Sequence, residues 1–125
     1  EAPDNGSRVR IHCFLEHAAG RCAELGNITR LSIFRLLVKA GKNGLPVGQI
    51  QSSLGIPGST LTHHLQRLVR VGLVKQRRQS RVLHCEPQMD AVRELADYLV
   101  SECCTLRSSL ISEDAIEKIH VKDTR

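Results

Sequence analysis

Aromatic residues are nearly missing from this 125-residue chain, which has two Phe, one Tyr and no Trp. A platform of rings for stacking single-stranded nucleic acid is therefore excluded, and any core must be aliphatic. Polar gaps between the apolar runs leave no stretch long enough to span a membrane, and no signal-peptide core is visible. The five cysteines are odd in number and irregularly spaced, and no Cys-x-x-Cys occurs. That usage fits free thiols in a reducing cytoplasm, not a disulfide framework. No cysteine opens a Cys-x5-Arg phosphate loop and no glycine-rich phosphate cradle occurs, so a thiol enzyme such as an arsenate reductase is not expected and no organic cofactor is called for.

The second absence is of negative charge. From Leu25 to Cys85 there is no Asp or Glu, while Arg30, Arg35, Lys39, Lys42, Arg67, Arg70, Lys75, Arg77, Arg78 and Arg81 all fall there. All 13 acids lie in the flanks, so a net charge of +5 conceals a middle of +10 between flanks that sum to −5. Such a block lowers its self-repulsion by displacing counterions from a polyphosphate.

Hydrophobic periodicity and turn residues divide the chain as follows. Residues 1–7 read as a flexible lead. A first helix is expected from Arg8 to Leu25, capped by Ser7, with Ile11, Phe14, Leu15, Ala18, Cys22 and Leu25 on one face. Asn27 caps a second helix to Ala40. After a loop marked by Gly41, Gly44 and Pro46, a short third helix is expected over Val47–Leu54, with Ile50 and Leu54 buried. Gly55-Ile56-Pro57-Gly58 is a turn into a fourth helix, Ser59–Val71, which Gly72 stops. Val74–Arg78 and Arg81–Glu86 read as strands around Gln79-Ser80. A fifth helix is expected over Gln88–Cys104, its apolar face carrying Met89, Val92, Ala96, Leu99, Val100 and Cys103. In the tail, residues 105–125, Ser112 could cap one more short helix. The expected fold is mainly α, a winged helix-turn-helix of order ααααββα with a small antiparallel hairpin wing, in one domain over residues 8–104.

On a wheel of about 100° per residue, Leu61, Leu65, Leu68 and Val69 of the fourth helix share a face, with His64 at its edge. Ser59, His63, Gln66 and Arg70 lie opposite. Hydroxyl, imidazole, amide and guanidinium groups are those that bond base edges and phosphates, and residues near the start of a recognition helix reach deepest into the major groove. Ser59, Thr60, Thr62, His63 and Gln66 are thus the base-contact candidates. Arg67 and Arg70 suit phosphates, and Arg77, Arg78 and Arg81 of the wing suit backbone or an adjacent minor groove.

Thr29-Arg30-Leu31-Ser32-Ile33-Phe34-Arg35-Leu36-Leu37 resembles the second helix of the ArsR/SmtB family of winged-helix repressors. Ser59-Thr60-Leu61-Thr62-His63-His64-Leu65-Gln66-Arg67-Leu68 and Val71-Gly72-Leu73-Val74 resemble that family's recognition helix and its exit into the wing. The resemblance covers roughly residues 10–104. It implies a homodimer held by the first and last helices, an operator palindrome in double-stranded DNA as partner, and an inducer, often a metal or metalloid ion, that releases the DNA. Family wings often carry Gly at the tip; Gln79-Ser80 stands there in this chain, which puts the wing's shape in question.

Two adjacent soft thiols, Cys103 and Cys104, suit a thiophilic ion. On an ideal helix they point about 100° apart, so the last turn must unwind for both to hold one ion. Tyr98-Leu99-Val100-Ser101-Glu102-Cys103-Cys104 resembles an arsenic-responsive branch of the family, which implies trivalent arsenic, or antimony, as inducer. That branch has a third cysteine downstream of the pair, and this chain has none there, so a third thiolate would come from Cys13 or Cys22, or the ion is held by two. Packing is the expected role of Cys22, and filling a strand that of Cys85. The last helix has no His, so the zinc site of other relatives is not expected. The rival reading is a winged-helix repressor that senses oxidants or persulfides through its thiols, without metal.

Overall fold

The computed structural model describes residues 5–108, and the elements follow the expected order with one addition. Helices α1 (Asn5–Leu25) and α2 (Ile28–Ala40) lead to a two-residue strand β1 (Leu45–Pro46), then α3 (Val47–Leu54), α4 (Gly58–Arg70), β2 (Val74–Gln79), β3 (Val82–Pro87) and α5 (Met89–Val100). A 3-10 turn, Thr105–Ser108, follows. The described chain divides into two compact units, with the division inside α5 between Leu95 and Ala96. Strand β1, which the sequence pattern did not reveal, makes the hairpin a three-stranded antiparallel sheet of order β1-β3-β2.

Local chemistry accounts for most boundaries. Asn27 holds an extended backbone, and its side-chain oxygen accepts from the Arg30 amide at 3.0 Å, capping α2. Helix α4 closes in a Schellman motif. The Leu73 amide donates to the Leu68 carbonyl and the Gly72 amide to Val69, both at 3.0 Å, with Gly72 at φ 77°. Helix α1 begins at Asn5, not Arg8, so Ser7 lies within it and not at its cap position. Pro3 is the last upstream residue that resists helix strongly; Asn5, Gly6 and Ser7 only lower the propensity. Helix α5 ends at Val100, short of Cys104. There Ser101 turns back on Tyr98, with amide and hydroxyl both donating to its carbonyl, at 3.3 and 2.9 Å, a local bond that competes with the helix ladder. The tail helix proposed after Ser112 lies outside the described residues.

The core is aliphatic, as the composition requires: Ile33, Leu37, Ile50, Leu61, Leu65, Leu68, Leu73 and Val74 are sealed from solvent together with Cys85. Cys85 is thus the strand filler it was expected to be. Three other apolar faces are only partly covered in the protomer. Among the described side chains of α1, residues 13–25, Ala18 alone is buried, whereas Phe14 is 62% exposed and Leu15 and Cys22 are exposed too. In α5 the buried side chains are Ala91 and Leu95, and Ala96, Leu99 and Val100 face solvent. In α4, Val69 is exposed. A wheel finds apolar stripes but does not say which part of a wide stripe one protomer covers.

Pairing of Leu45 with Cys85 and of Pro46 with His84 brings the chain before β1 hard against β3. Gly44 sits at φ 67°, and a Cβ there would collide with the Cys85 carbonyl. Only glycine meets both conditions. Gly44→Ala should therefore cost about 2–3 kcal/mol of stability, within the range of strongly destabilising substitutions. Urea denaturation of parent and variant measures it, and a loss below half that would mean β1 shifts freely.

Candidate nucleic-acid interface

The recognition surface is built on α4, and its burial follows the 3.6-residue period. Leu61, Leu65 and Leu68 anchor one face in the core. Ser59, Thr60, Thr62, His63, Gln66 and Arg70 are exposed on the remainder. The Thr62 hydroxyl donates to the Gly58 carbonyl at 2.9 Å, which leaves its oxygen lone pairs outward. Helix α3 and the turn through Gly55, at φ 63°, precede α4 as the first half of a helix-turn-helix.

Charge divides the cations of the middle block into two groups. Glu24, immediately upstream of the block, has its carboxylate 3.1 Å from Arg30 Nε and 3.0 Å from Arg67 Nε. Glu86, immediately downstream, accepts from Arg77 Nε at 2.8 Å. Arg67 and Arg77, expected to meet phosphate or backbone, are therefore each paired with an acid of the protein in this structure. Arg35, Lys39, Lys42, Arg70, Lys75, Arg78 and Arg81 are all exposed, and among the described residues none makes an ion pair with an acid.

The wing tip differs by one residue from expectation. Gln79 pairs with Val82, so the two-residue turn is Ser80-Arg81, not Gln79-Ser80, and Ser80 takes φ 59°. A positive φ at the first central position is what a tight hairpin demands. It is met here by a serine, and Arg81 is left at the apex beside exposed Arg78.

Beneath α4 lies a polar cluster that sequence reasoning found only in part. Arg30 is 8% exposed, the one buried charged residue among those described. Its Nε donates to the Glu24 carbonyl at 2.8 Å, and its Nη1 lies 3.2 Å from His64 Nδ1. Arginine can only donate, so Nδ1 must accept and His64 is the neutral tautomer with its proton on Nε2. A second arginine, Arg21 of α1, ties down the end of α4: its Nε donates to the Val71 carbonyl at 3.0 Å, and its Nη1 reaches the Ala91 carbonyl and Glu94 of α5 at 3.4 and 3.3 Å. The only sequence signals for these anchors were the position of His64 at the edge of the buried face and that of Glu24 at the edge of the acid-free block.

At the other candidate site, Cys103 Sγ lies 3.4 Å from Cys104 Sγ. Both are exposed free thiols beyond the end of α5, and Cys104 adopts φ 68°. The unwound last turn that an ion-binding pair would require is present. Cys13 and Cys22 are exposed on α1 in the protomer, so Cys22 does not pack in its core, and Cys13 Sγ lies 3.8 Å from His17 Nδ1. Among the described residues no three His, Cys, Asp or Glu side chains converge as a metal-binding group.

An α3-turn-α4 unit with a hairpin wing behind it defines a winged helix-turn-helix protein. Residues 25–77 match a helix-turn-helix domain family. The fold is that of ArsR-family winged-helix transcriptional regulators. One similar solved structure is the homodimeric winged helix-turn-helix DNA-binding domain of a possible ArsR-family regulator from Mycobacterium bovis. It is 26% identical, with 83% of this chain and 94% of that one covered at a TM-score of 0.61. NolR from Sinorhizobium fredii is 29% identical over 75% and 91% of the two chains, at 0.58. An ArsR-like regulator from Rhodococcus sp. RHA1 is 21% identical over 84% and 93%, at 0.66. No curated protein matches the chain in sequence. Among the described residues no helix is long and apolar enough to cross a membrane.

Burial foremost, then the charges of Arg30, His63 and Arg67, hold the His64 imidazole below its ordinary value. As the pH falls the unfolded chain therefore takes up this proton first. The stability this group contributes is complete above about pH 6.5, the ordinary imidazole value, and is lost as the pH falls through it toward the folded-state pKa. The urea midpoint should drop between pH 7.5 and 5.5, and drop less in His64→Gln. Equal drops in the two proteins would show that His64 is not the group responsible.

Proposed function

We propose that this chain is a homodimeric, cytoplasmic DNA-binding repressor that reads its operator with α4 and releases it when a thiophilic ion binds Cys103 and Cys104. The observation that carries the DNA half is the exposed polar face of α4 inside a surface of seven exposed cations. Ser59, Thr60, His63 and Gln66, with Thr62 as acceptor, are the base-reading groups. Arg70 meets phosphate beside the helix, and Arg78 and Arg81 meet backbone from the wing. The exposed apolar side chains of α1, Phe14 and Leu15, and of α5, Leu99 and Val100, are each what a helix presents to a second copy. A dimer whose two recognition helices enter grooves about 34–36 Å apart reads a palindrome.

His63→Ala and Gln66→Ala should each relax sequence preference by about 1–3 kcal/mol, the worth of a base contact. Arg70→Ala or Arg78→Ala should weaken binding to every sequence and flatten its salt dependence. Competition binding against unrelated duplex measures both, and sedimentation at micromolar concentration gives the assembly state. Unchanged preference in the His63→Ala/Gln66→Ala double variant would mean another face of α4 reads the bases.

The observation that carries the induction half is the 3.4 Å between the two sulfurs beyond α5. Two exposed soft thiolates at that separation could both bond one thiophilic ion, and trivalent arsenic, or antimony, is an ion of that kind. A regulator of arsenical resistance is the reading this chemistry favours, with Cys13 or Cys22 as a third ligand. Binding displaces thiol protons and weakens DNA binding, and DNA weakens ion binding by the same factor. Cys103→Ser/Cys104→Ser should hold DNA normally and stay bound in arsenite, while Cys85→Ser, at a sealed core position, should respond as the parent does. The same sulfur contact also favours oxidation of the pair, with no metal. Mass spectrometry distinguishes the two, since arsenite adds arsenic to the protein whereas a peroxide removes two hydrogens and is reduced to water. Release of DNA from the double serine variant by arsenite would rule the pair out as the inducer site.

A further inference from the structure

We propose that Glu24 is a positioning residue for DNA recognition: its carboxylate clamps the recognition helix to α1 through Arg67, and Arg67 serves this clamp instead of a DNA phosphate. The proposal rests on the DNA-reading role of α4 argued above. Glu24 stands in the last turn of α1, with a side chain only 15% exposed. It faces two guanidinium groups from two other helices, Arg30 of α2 and Arg67 of α4. Arg30 in turn meets His64 of α4. Three helices thus meet at one carboxylate, and α4 is gripped at His64 and Arg67, between the base-reading residues Gln66 and His63 and the core leucines.

The nature of the contact matters. Glu24 Oε2 and Arg67 Nε are both sealed from water, lie 3.0 Å apart, and make no aligned hydrogen bond. They are held by charge. A Coulombic contact is tolerant of angle, so it transmits a displacement of the end of α1 to α4 without breaking. Arg67 and Gln66 are adjacent, so a rotation of α4 that frees Arg67 turns Gln66 away from its base. An arginine released from Glu24 would become one more free cation on a surface that already has seven.

These features give opposite signs for two readouts. The probe is the duplex sequence that the parent protein selects from a random pool, compared with an unrelated duplex. Glu24→Gln should bind the unrelated duplex more tightly than the parent does, with a salt slope steeper by about one unit as Arg67 gains a phosphate. Its discrimination between the two duplexes should fall about tenfold, the scale of coupling between contacting residues. Arg67→Met, at a half-exposed position that tolerates substitution, should also lose about tenfold in discrimination, with its salt slope on the selected duplex unchanged. The double variant should discriminate no worse than Arg67→Met alone. If Arg67→Met instead weakens binding to both duplexes equally and flattens the slope by about one unit, Arg67 is a phosphate contact and the proposal falls. It falls equally if Glu24→Gln loses affinity for both duplexes in parallel. A parent that selects no sequence at all overturns the DNA reading itself, a result distinct from either.

Discussion

A block of ten cations with no acid of its own is the constraint around which this protein is built. Like charges at these densities oppose compaction, and two acids at the borders of the block relieve it. Glu24 precedes its first residue and takes Arg30 and Arg67; Glu86 follows its last and takes Arg77. These three arginines are the ones the fold draws toward its interior or its sheet. The remaining seven stay in water, where their repulsion is screened and where a polyanion can replace the counterions. Division of the cations between structure and surface is thus decided by where two carboxylates stand in the sequence.

Most of the helix-turn-helix was legible because its signals are local. Asn27, Gly55, Pro57 and Gly72 act on the backbone within a few residues of themselves, and the leucine period of α4 is unbroken. What escaped was everything set by contacts between distant segments. β1 is only two residues long and exists because Gly44 lets the chain approach Cys85, far along the sequence. The wing turn moved by one residue because the register of β2 on β3 settles it, and Ser80 accepts the left-handed backbone that this register imposes. Arg67 looked like a surface cation because its partner lies on another helix.

The apolar faces of α1 and α5 were read as those of the helices that hold a homodimer, and the protomer leaves much of both exposed. In a chain with two phenylalanines, leaving Phe14 in water on one protomer makes physical sense if a second copy is its neighbour. The same holds for Leu99 and Val100, which a wheel groups with residues that do pack. Thus the disagreement between pattern and burial falls on the helices that the family resemblance assigns to the dimer, whereas α3, which it does not, buries Ile50 as its period predicts.

Termination of α5 at Val100 joins local structure to the chemistry of the thiols. Inside a helix, neighbouring side chains diverge and a Cys-Cys pair offers one ligand at a time. Ser101 ends the ladder by bonding back to Tyr98, and the two sulfurs then come together at an exposed turn with Cys104 in a conformation L-residues avoid. That backbone state is costly for a cysteine, and an ion bridging the two sulfurs would repay part of the cost by holding the turn closed. On the proposed reading, selection of a soft ion would depend on the serine that stops the helix as much as on the thiols: a residue that let α5 continue would separate the sulfurs while leaving both cysteines in place.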